Sequence, residues 1–172
     1  MIKLFTHNDW DGIACGILAK IAFGNNVDIS YCGYETIDKE VKDIFSTVSD
    51  YDMVFITDIR IKDYVADEID RNFDCFYLLD HHGTALYLNK YKWCKVLVEN
   101  EETHILTSGT ELYYNWLVEN GYLEENDTLR RFTECVRDYD TWRWFSLGEE
   151  GLICKKLNDL LYLYGQDKFI LW

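Results

Sequence analysis

The chain has 172 residues, of which 48% are hydrophobic, and it carries a formal net charge of −14 at pH 7. This length favours one globular domain with a packed core, and no apolar run is long enough for a membrane span. The acidic charge disfavours tight binding to long duplex nucleic acid, because that binding draws most of its affinity from lysine and arginine. We predict a cytoplasmic protein without a signal peptide.

The first hundred residues alternate short β-prone runs with amphipathic segments. Strands are predicted at MIKLFT, VDISYCGY, DMVFITD and CFYLLD, with a short fifth strand around KVLVE. Helices are predicted between them at DGIACGILAKIAFGNN, TIDKEVKDIFSTV and IKDYVADEIDRNF. Because parallel neighbours need a long crossover, the alternation predicts an α/β fold, a parallel β-sheet of about five strands flanked by helices.

The last third of the chain is predicted to be helical. SGTELYYNWLVENG opens with a capping-box pattern, and NDTLRRFTECVRDYDTWRWF and GLICKKLNDLLYLYG also have helical spacing. We expect a single domain over residues 1–172, with the α/β sheet portion over about 1–100 and the helical portion over about 104–172.

Side chains able to bind metal ions follow three of the predicted strands. His7, Asp9 and Asp11 alternate after the first strand, Asp58 ends the third, and Asp80-His81-His82 ends the fourth. Active sites of open parallel sheets form at the carboxyl ends of the strands, so these side chains are expected to share one edge. A last candidate is the pair of aspartates in RDYDTW.

The residue types favour certain metals. Histidine and carboxylate without cysteine suit Mn²⁺, Mg²⁺ or iron better than structural zinc, and the six cysteines are scattered. Without a cation, the three ligating side chains of HNDWDG would repel one another, or would be more than are needed to cap the following helix. Two alternatives stay open, since Asp58 alone is typical of a helix cap and two consecutive histidines alone are equally typical of a structural pair.

Four segments, HNDWDG, the Asp58 strand end in FITDIR, LDHHGTA and RDYDTW, together resemble motifs I to IV of the DHH phosphoesterase superfamily. That superfamily includes exonucleases, inorganic pyrophosphatases, cyclic-dinucleotide phosphodiesterases and nanoRNases. THNDWDG and DHHGTALYLNKYKW most resemble nanoRNases, which degrade very short oligonucleotides. Such members carry a second domain, DHHA1, that clamps the substrate, and the sequence ends about where its linker would begin. We expect a homodimer or a second chain to supply that clamp, or a substrate that needs less recognition.

The resemblance implies a site for two Mn²⁺ ions, with Mg²⁺ or another divalent ion as alternatives. It implies His7, Asp9 and Asp58 for one ion, and Asp11, Asp58, His81 and Asp140 for the other. Asp140 is preferred to Asp138 because a threonine often follows the motif IV aspartate in the family, and Asp138 stays an alternative.

The resemblance also implies roles for residues beside the metals. Asp80 would orient a histidine through its ring N–H, and His82 would face the substrate and protonate or stabilise the leaving oxygen. Candidate phosphate-binding residues are Arg60, Arg137 and Arg143. Candidate base-stacking or guiding residues are Trp10, Tyr139, Trp142, Trp144 and the segment Lys90–Lys95, although core packing and a solvated edge explain these equally well.

Three functions are compatible with these features. The first is a Mn²⁺-dependent phosphodiesterase, acting on short oligonucleotides by a two-metal mechanism. The second is a phosphodiesterase or phosphatase for a small nucleotide, such as a cyclic dinucleotide or a 3′,5′-bisphosphate nucleotide. The third is a nucleotide- or partner-binding domain with little turnover, which the intact ligand set argues against.

Overall fold

A computed structural model describes residues 1–165 and contains one parallel sheet in the order β2-β1-β3-β4-β5. The strands are β1 (Ile2–His7), β2 (Val27–Cys32), β3 (Met53–Thr57), β4 (Phe76–Asp80) and β5 (Cys94–Val96). The predicted α/β fold with a five-stranded parallel sheet is confirmed. The domain prediction also covers 166–172, which lie outside the described residues.

Helices follow most strands and dominate the C-terminal part. They are α1 (Trp10–Phe23), α2 (Ile37–Asp43), α3 (Asp63–Asn72), α4 (Gly109–Glu119), α5 (Asp127–Asp140) and α6 (Glu149–Tyr164). Short 3₁₀ helices cover Gly24–Asn26, Val48–Asp50, Gly83–Lys90 and Arg143–Ser146. Among residues 1–165, no helix combines the length and apolar character needed to cross a membrane.

Two predicted helices are shorter than expected. TIDKEVKDIFSTV stops being α-helical at Asp43, after which Ile44 and Phe45 pack on the core from a turn and Val48 packs on it from the following 3₁₀ helix. NDTLRRFTECVRDYDTWRWF stops at Asp140, because Trp142 adopts a left-handed backbone with φ of 63° that a continuous helix does not allow.

The sheet is covered on both faces, as a parallel sheet requires. On one face, Phe5, Ile56 and Leu78 pack against α2, α3 and the Gly83–Lys90 helix. On the other, Leu4, Phe55 and Leu79 pack against α1 and α4. A smaller cluster joins α1 to the last two helices through Trp10, Ile13, Ala14, Val136 and Leu161. The helical third is therefore packed onto the sheet portion through α1.

Candidate metal centre

The HNDWDG segment makes a tight turn from β1 into α1. Asp9 is the N-cap of α1, and its Oδ1 accepts a hydrogen bond from the Gly12 N–H at 3.1 Å. Its other oxygen lies 2.7 Å from His7 Nδ1. A side chain at Gly12 would place Cβ 2.1 Å from the His7 carbonyl oxygen, so the turn needs glycine. Asp9 thus serves as helix cap and as part of a polar cluster.

Asp11 is held by the start of a second helix. Its carboxylate is buried and accepts hydrogen bonds from the N–H groups of Gly109 at 2.6 Å and Thr110 at 2.8 Å, in the first turn of α4. The Thr110 hydroxyl also donates to the Asp11 carbonyl at 2.7 Å. The exposed N–H groups and the positive dipole end of a helix stabilise a carboxylate there, so α4 fixes the position of Asp11.

Asp58 lies at the centre of the cluster, directly after β3. Its backbone is left-handed, with φ of 57°, and the residue is 1% exposed. Among residues 1–165, neither carboxylate oxygen accepts a hydrogen bond. A side chain at Gly109 would place Cβ 2.4 Å from Asp58 Cβ, so α4 also packs closely against this residue. A buried carboxylate without donors is costly unless a cation is its partner, so Asp58 fits a metal ligand better than a helix cap.

Asp80 and His82 form a separate hydrogen-bonded pair after β4. Asp80 Oδ1 accepts hydrogen bonds from the backbone N–H groups of His81 and His82, and it lies 2.7 Å from His82 Nδ1. This hydrogen bond, with the Asp80 charge, outweighs burial and raises the pKa of His82. Of the two histidines, His82 is therefore the one that Asp80 orients, and the His82 side chain is 34% exposed.

His81 joins the remaining carboxylates. Its Nε2 lies 3.2 Å from Asp58 Oδ1, and 3.5 Å from both Asp11 Oδ2 and Asp140 Oδ2. Burial is the main cause that lowers its pKa, which favours the neutral imidazole that metals bind.

Two ligand groups result, each with its ligating atoms within 4.8 Å of one another, and they are His7-Asp9-Asp58 and Asp11-His81-Asp140. A third combination, Asp58-His81-His82, uses a His82 nitrogen that already bonds Asp80.

The charges of this cluster are mutually unfavourable without a cation. Burial, followed by the charges of Asp11 and Asp9, raises the pKa of Asp58 well above its ordinary value. The same causes raise the pKa of Asp140 to about 8. Burial also opposes ionisation of Asp9, but the hydrogen bond and charge of His7 outweigh it and lower the pKa of Asp9. Divalent cations would relieve this repulsion, so the residues present fit a metal site.

The two motif IV aspartates have different surroundings. Asp140 belongs to the ligand group with Asp11 and His81. Asp138 is buried, and its Oδ1 accepts hydrogen bonds from Arg137 at 3.0 and 3.1 Å and from Arg143 at 2.9 Å. This geometry favours Asp140 as the ligand and gives Asp138 an ion-pairing role.

The three candidate phosphate-binding arginines also lie in different surroundings. Arg137 also pairs with Glu111 at 2.7 Å, and both Arg137 and Arg143 line a groove of about 900 Å³ that includes none of the six predicted ligands. Arg60 instead follows β3, two residues after Asp58, and its guanidinium carbon lies 6.0 Å from the ring centroid of Tyr34.

The predicted stacking and guiding residues are mostly engaged elsewhere. Trp10 is buried against Phe132. Lys90, Tyr91 and Trp93 all donate side-chain hydrogen bonds to carboxylates of α3. The Lys90–Lys95 segment is therefore held against α3 at the edge of the sheet. Trp144 lies between Tyr139 and Phe145 in a stack that also includes Trp142, which is 69% exposed.

Tyr34 was not predicted from the sequence. Its ring centroid is 4.8 Å from that of His7, and its hydroxyl is 3.4 Å from His82 Nε2. Tyr34 follows β2, so its position after a strand end is a signal in the sequence, although tyrosine is not among the metal-binding side chains predicted at those ends. The supporting residues Gly109 and Thr110 were predicted as a helix start only.

Comparison with known proteins finds a relative by sequence and solved structures with a similar fold. No protein-family model matches the chain. Over 98% of its length the chain is 38% identical to "Oligoribonuclease NrnB" of Bacillus subtilis (strain 168), but it covers 43% of that protein. The chain therefore spans less than half the length of this curated relative.

Two crystal structures share the fold at 19% identity. An uncharacterized protein from Helicobacter pylori G27 has a TM-score of 0.65, covering 83% of this chain and 44% of that one. CDC45 from Entamoeba histolytica has a TM-score of 0.58, covering 81% of this chain and 30% of that one. At this identity the likeness concerns the fold alone.

Proposed function

Because the chain is a relative of the DHH-type nanoRNases, we propose that it is a metal-dependent phosphodiesterase that hydrolyses short oligonucleotides. The observation that carries this proposal is the pair of ligand groups around Asp58, a buried carboxylate with no hydrogen-bond donor in the described part of the chain. We propose two divalent ions, Mn²⁺ by preference, held by His7, Asp9 and Asp58 on one side and by Asp11, Asp58, His81 and Asp140 on the other. When bound, such ions supply positive charge that activates water and offsets charge on the phosphoryl oxygens.

The protein's own residues divide the remaining work. Asp80 accepts the Nδ1–H of His82, which fixes the ring orientation and favours the protonated imidazole. His82 Nε2 is then a proton donor directed at the leaving oxygen of the substrate. Asp11 is fixed by the N–H groups of α4, so the cluster is held in place before substrate binds.

Short substrates suit the charge and the site. The net charge of −14 repels a long polyanion, and the cations near the cluster are few, since Arg137 and Arg143 are paired with Asp138. A short oligonucleotide needs only local phosphate contacts. The proposal that a homodimer or a second chain clamps the substrate stays a prediction.

A substrate panel tests the proposal. The protein is incubated with Mn²⁺ and a dinucleotide, a five-nucleotide RNA, a cyclic dinucleotide, pyrophosphate or a 3′,5′-bisphosphate nucleotide, and kcat/KM is compared with that of His81→Ala. We expect the oligonucleotides to be preferred, with a loss of at least about 1,000-fold in the variant. Preference for the cyclic or bisphosphate nucleotide would favour the small-nucleotide alternative, and binding without hydrolysis would favour the binding-domain alternative.

A further inference from the structure

Arg60 differs from every other arginine of residues 1–165. The other five, Arg71, Arg130, Arg131, Arg137 and Arg143, each pair with an aspartate or glutamate. Among the described residues Arg60 pairs with no carboxylate, although the chain has 31 acidic residues and Asp58 lies two residues earlier, and its side chain instead contacts the Tyr34 ring and the Tyr87 hydroxyl. A guanidinium without a carboxylate, beside a site for phosphodiesters, is available to an anionic part of the substrate.

Tyr34 holds this arginine next to the catalytic groups. Its ring lies under the Arg60 guanidinium, approaches His7 and meets His82 edge-on at a centroid distance of 6.3 Å. Tyr34 follows β2 and Arg60 follows β3, with β1 between those strands in the sheet. The two side chains therefore meet above the end of β1, where the ligand cluster also begins, and Tyr34 remains 45% exposed.

A surface pair elsewhere shows what an ordinary contact of this kind looks like. Lys42 lies 5.6 Å from the ring centroid of Tyr64, but Lys42 also pairs with Glu68 at 2.8 Å. Tyr64 has no contact with a histidine of the cluster. The Tyr34–Arg60 pair differs on both counts, since its cation lacks an anion and its ring contacts two site histidines.

We propose that Arg60 binds a second phosphate of the substrate, next to the scissile one, and that Tyr34 is a positioning residue that holds both Arg60 and His82. This inference rests on the proposed function and deepens it. The preferred substrates are then short oligonucleotides that carry a second phosphate, and a dinucleotide with a single phosphate is a poorer substrate.

Three dinucleotides that differ only in one phosphate test this inference. They are ApA, 5′-phosphorylated pApA and 3′-phosphorylated ApAp, compared for kcat and KM in wild type, Arg60→Gln, Tyr34→Leu and Tyr34→Phe. We expect the wild type to prefer at least one phosphorylated form about 10-fold or more, through KM, because one charge-assisted contact contributes that much. Arg60→Gln and Tyr34→Leu should remove the preference, and the double variant should lose no more than either alone.

Tyr34→Phe separates the two parts of the positioning role. It keeps the ring under Arg60, so the preference for a second phosphate should survive, while loss of the hydroxyl contact with His82 should lower kcat for all three dinucleotides. Tyr64→Phe and Lys42→Gln are the matched controls on the remote surface pair, and they should leave the preference unchanged.

Equal binding or turnover of all three dinucleotides by the wild type would overturn the inference. So would an Arg60→Gln variant that loses as much activity on ApA as on the phosphorylated forms, because Arg60 would then act on the scissile phosphate. Calorimetric binding of the three dinucleotides in Ca²⁺ measures the same preference without turnover. Absence of hydrolysis with an Arg60-dependent binding preference would refute only the proposed function.

Discussion

Replacing Asp58 with asparagine tests the electrostatic account of the cluster, because Asp58 belongs to one ligand group and lies 3.2 Å from His81 of the other. In the metal-free protein this substitution keeps the side-chain shape and removes a buried charge. The Asp9 and Asp58 ligand oxygens lie within 4.8 Å of each other, and two unit charges at that distance repel by about 3 kcal/mol at an effective dielectric constant of about 20.

Proton uptake already relieves part of this repulsion, as the raised pKa of Asp58 indicates. We therefore expect Asp58→Asn to stabilise the metal-free fold by about 1–2 kcal/mol at pH 8. For a domain of this size that corresponds to a rise in melting temperature of about 2–8 °C.

The same substitution should abolish the response to metal. A cation present at about 100 times its dissociation constant stabilises the wild type by about 2.7 kcal/mol, which raises the melting temperature by about 5–10 °C. Asp58→Asn loses the central ligand, so its melting temperature should rise by less than about 2 °C.

The assay is thermal unfolding in EDTA and in Mn²⁺, followed by circular dichroism. Asp127→Asn is the matched control, because Asp127 is a surface aspartate with a side chain 93% exposed, and both of its melting temperatures should match the wild type. If Asp58→Asn instead destabilises the metal-free protein and keeps the shift with Mn²⁺, then Asp58 is neither a source of repulsion nor a metal ligand.

Three further predictions concern the surroundings of Asp58. Asp140→Asn should lose the melting shift with Mn²⁺. Asp138→Asn should keep that shift but lower the melting temperature in EDTA and in Mn²⁺ alike, because Arg143 loses its ion pair and Arg137 keeps only its pair with Glu111. Gly109→Ala should destabilise the fold by about 1–3 kcal/mol in urea unfolding, because its Cβ would meet Asp58, while Gly33→Ala meets nothing within 4 Å and should not. Burial raises the pKa of Asp140 to about 8, above its unfolded value of 3.8, so the folded metal-free protein binds an extra proton between these values. Its melting temperature should therefore fall as pH rises from about 4 to about 8, and a flat profile for the wild type would contradict this assignment.

The clustering of Asp58 and His81 could be predicted from sequence because strand ends fix their positions, whereas Asp140 reaches the same cluster from the end of α5. Asp58 and His81 directly follow buried strands, and parallel strands bring their carboxyl ends to one edge whatever the details of packing. From the sequence, Asp140 is preferred to Asp138 only because a threonine often follows the motif IV aspartate in the family. The structure adds a physical reason, since Arg137 and Arg143 both bind Asp138.

The supporting residues could not be predicted in the same way. Gly109 and Thr110 reach Asp11 across nearly a hundred residues of sequence, so no local pattern marks that contact. Tyr34 is one of 13 tyrosines, and its place beside His7 depends on which strand borders β1. Trp142 was considered for its ring, but its left-handed backbone, which ends α5, has no sequence signal of its own.

The proposed metal-dependent nuclease activity can be measured as hydrolysis of a five-nucleotide RNA in Mn²⁺, followed by chromatography of the products. We expect cleavage to mononucleotides that stops in EDTA and is at least about 1,000-fold slower in Asp58→Asn. A wild-type protein that binds Mn²⁺ and leaves the RNA intact, or cleavage that continues in EDTA, would show that the protein is not such an enzyme.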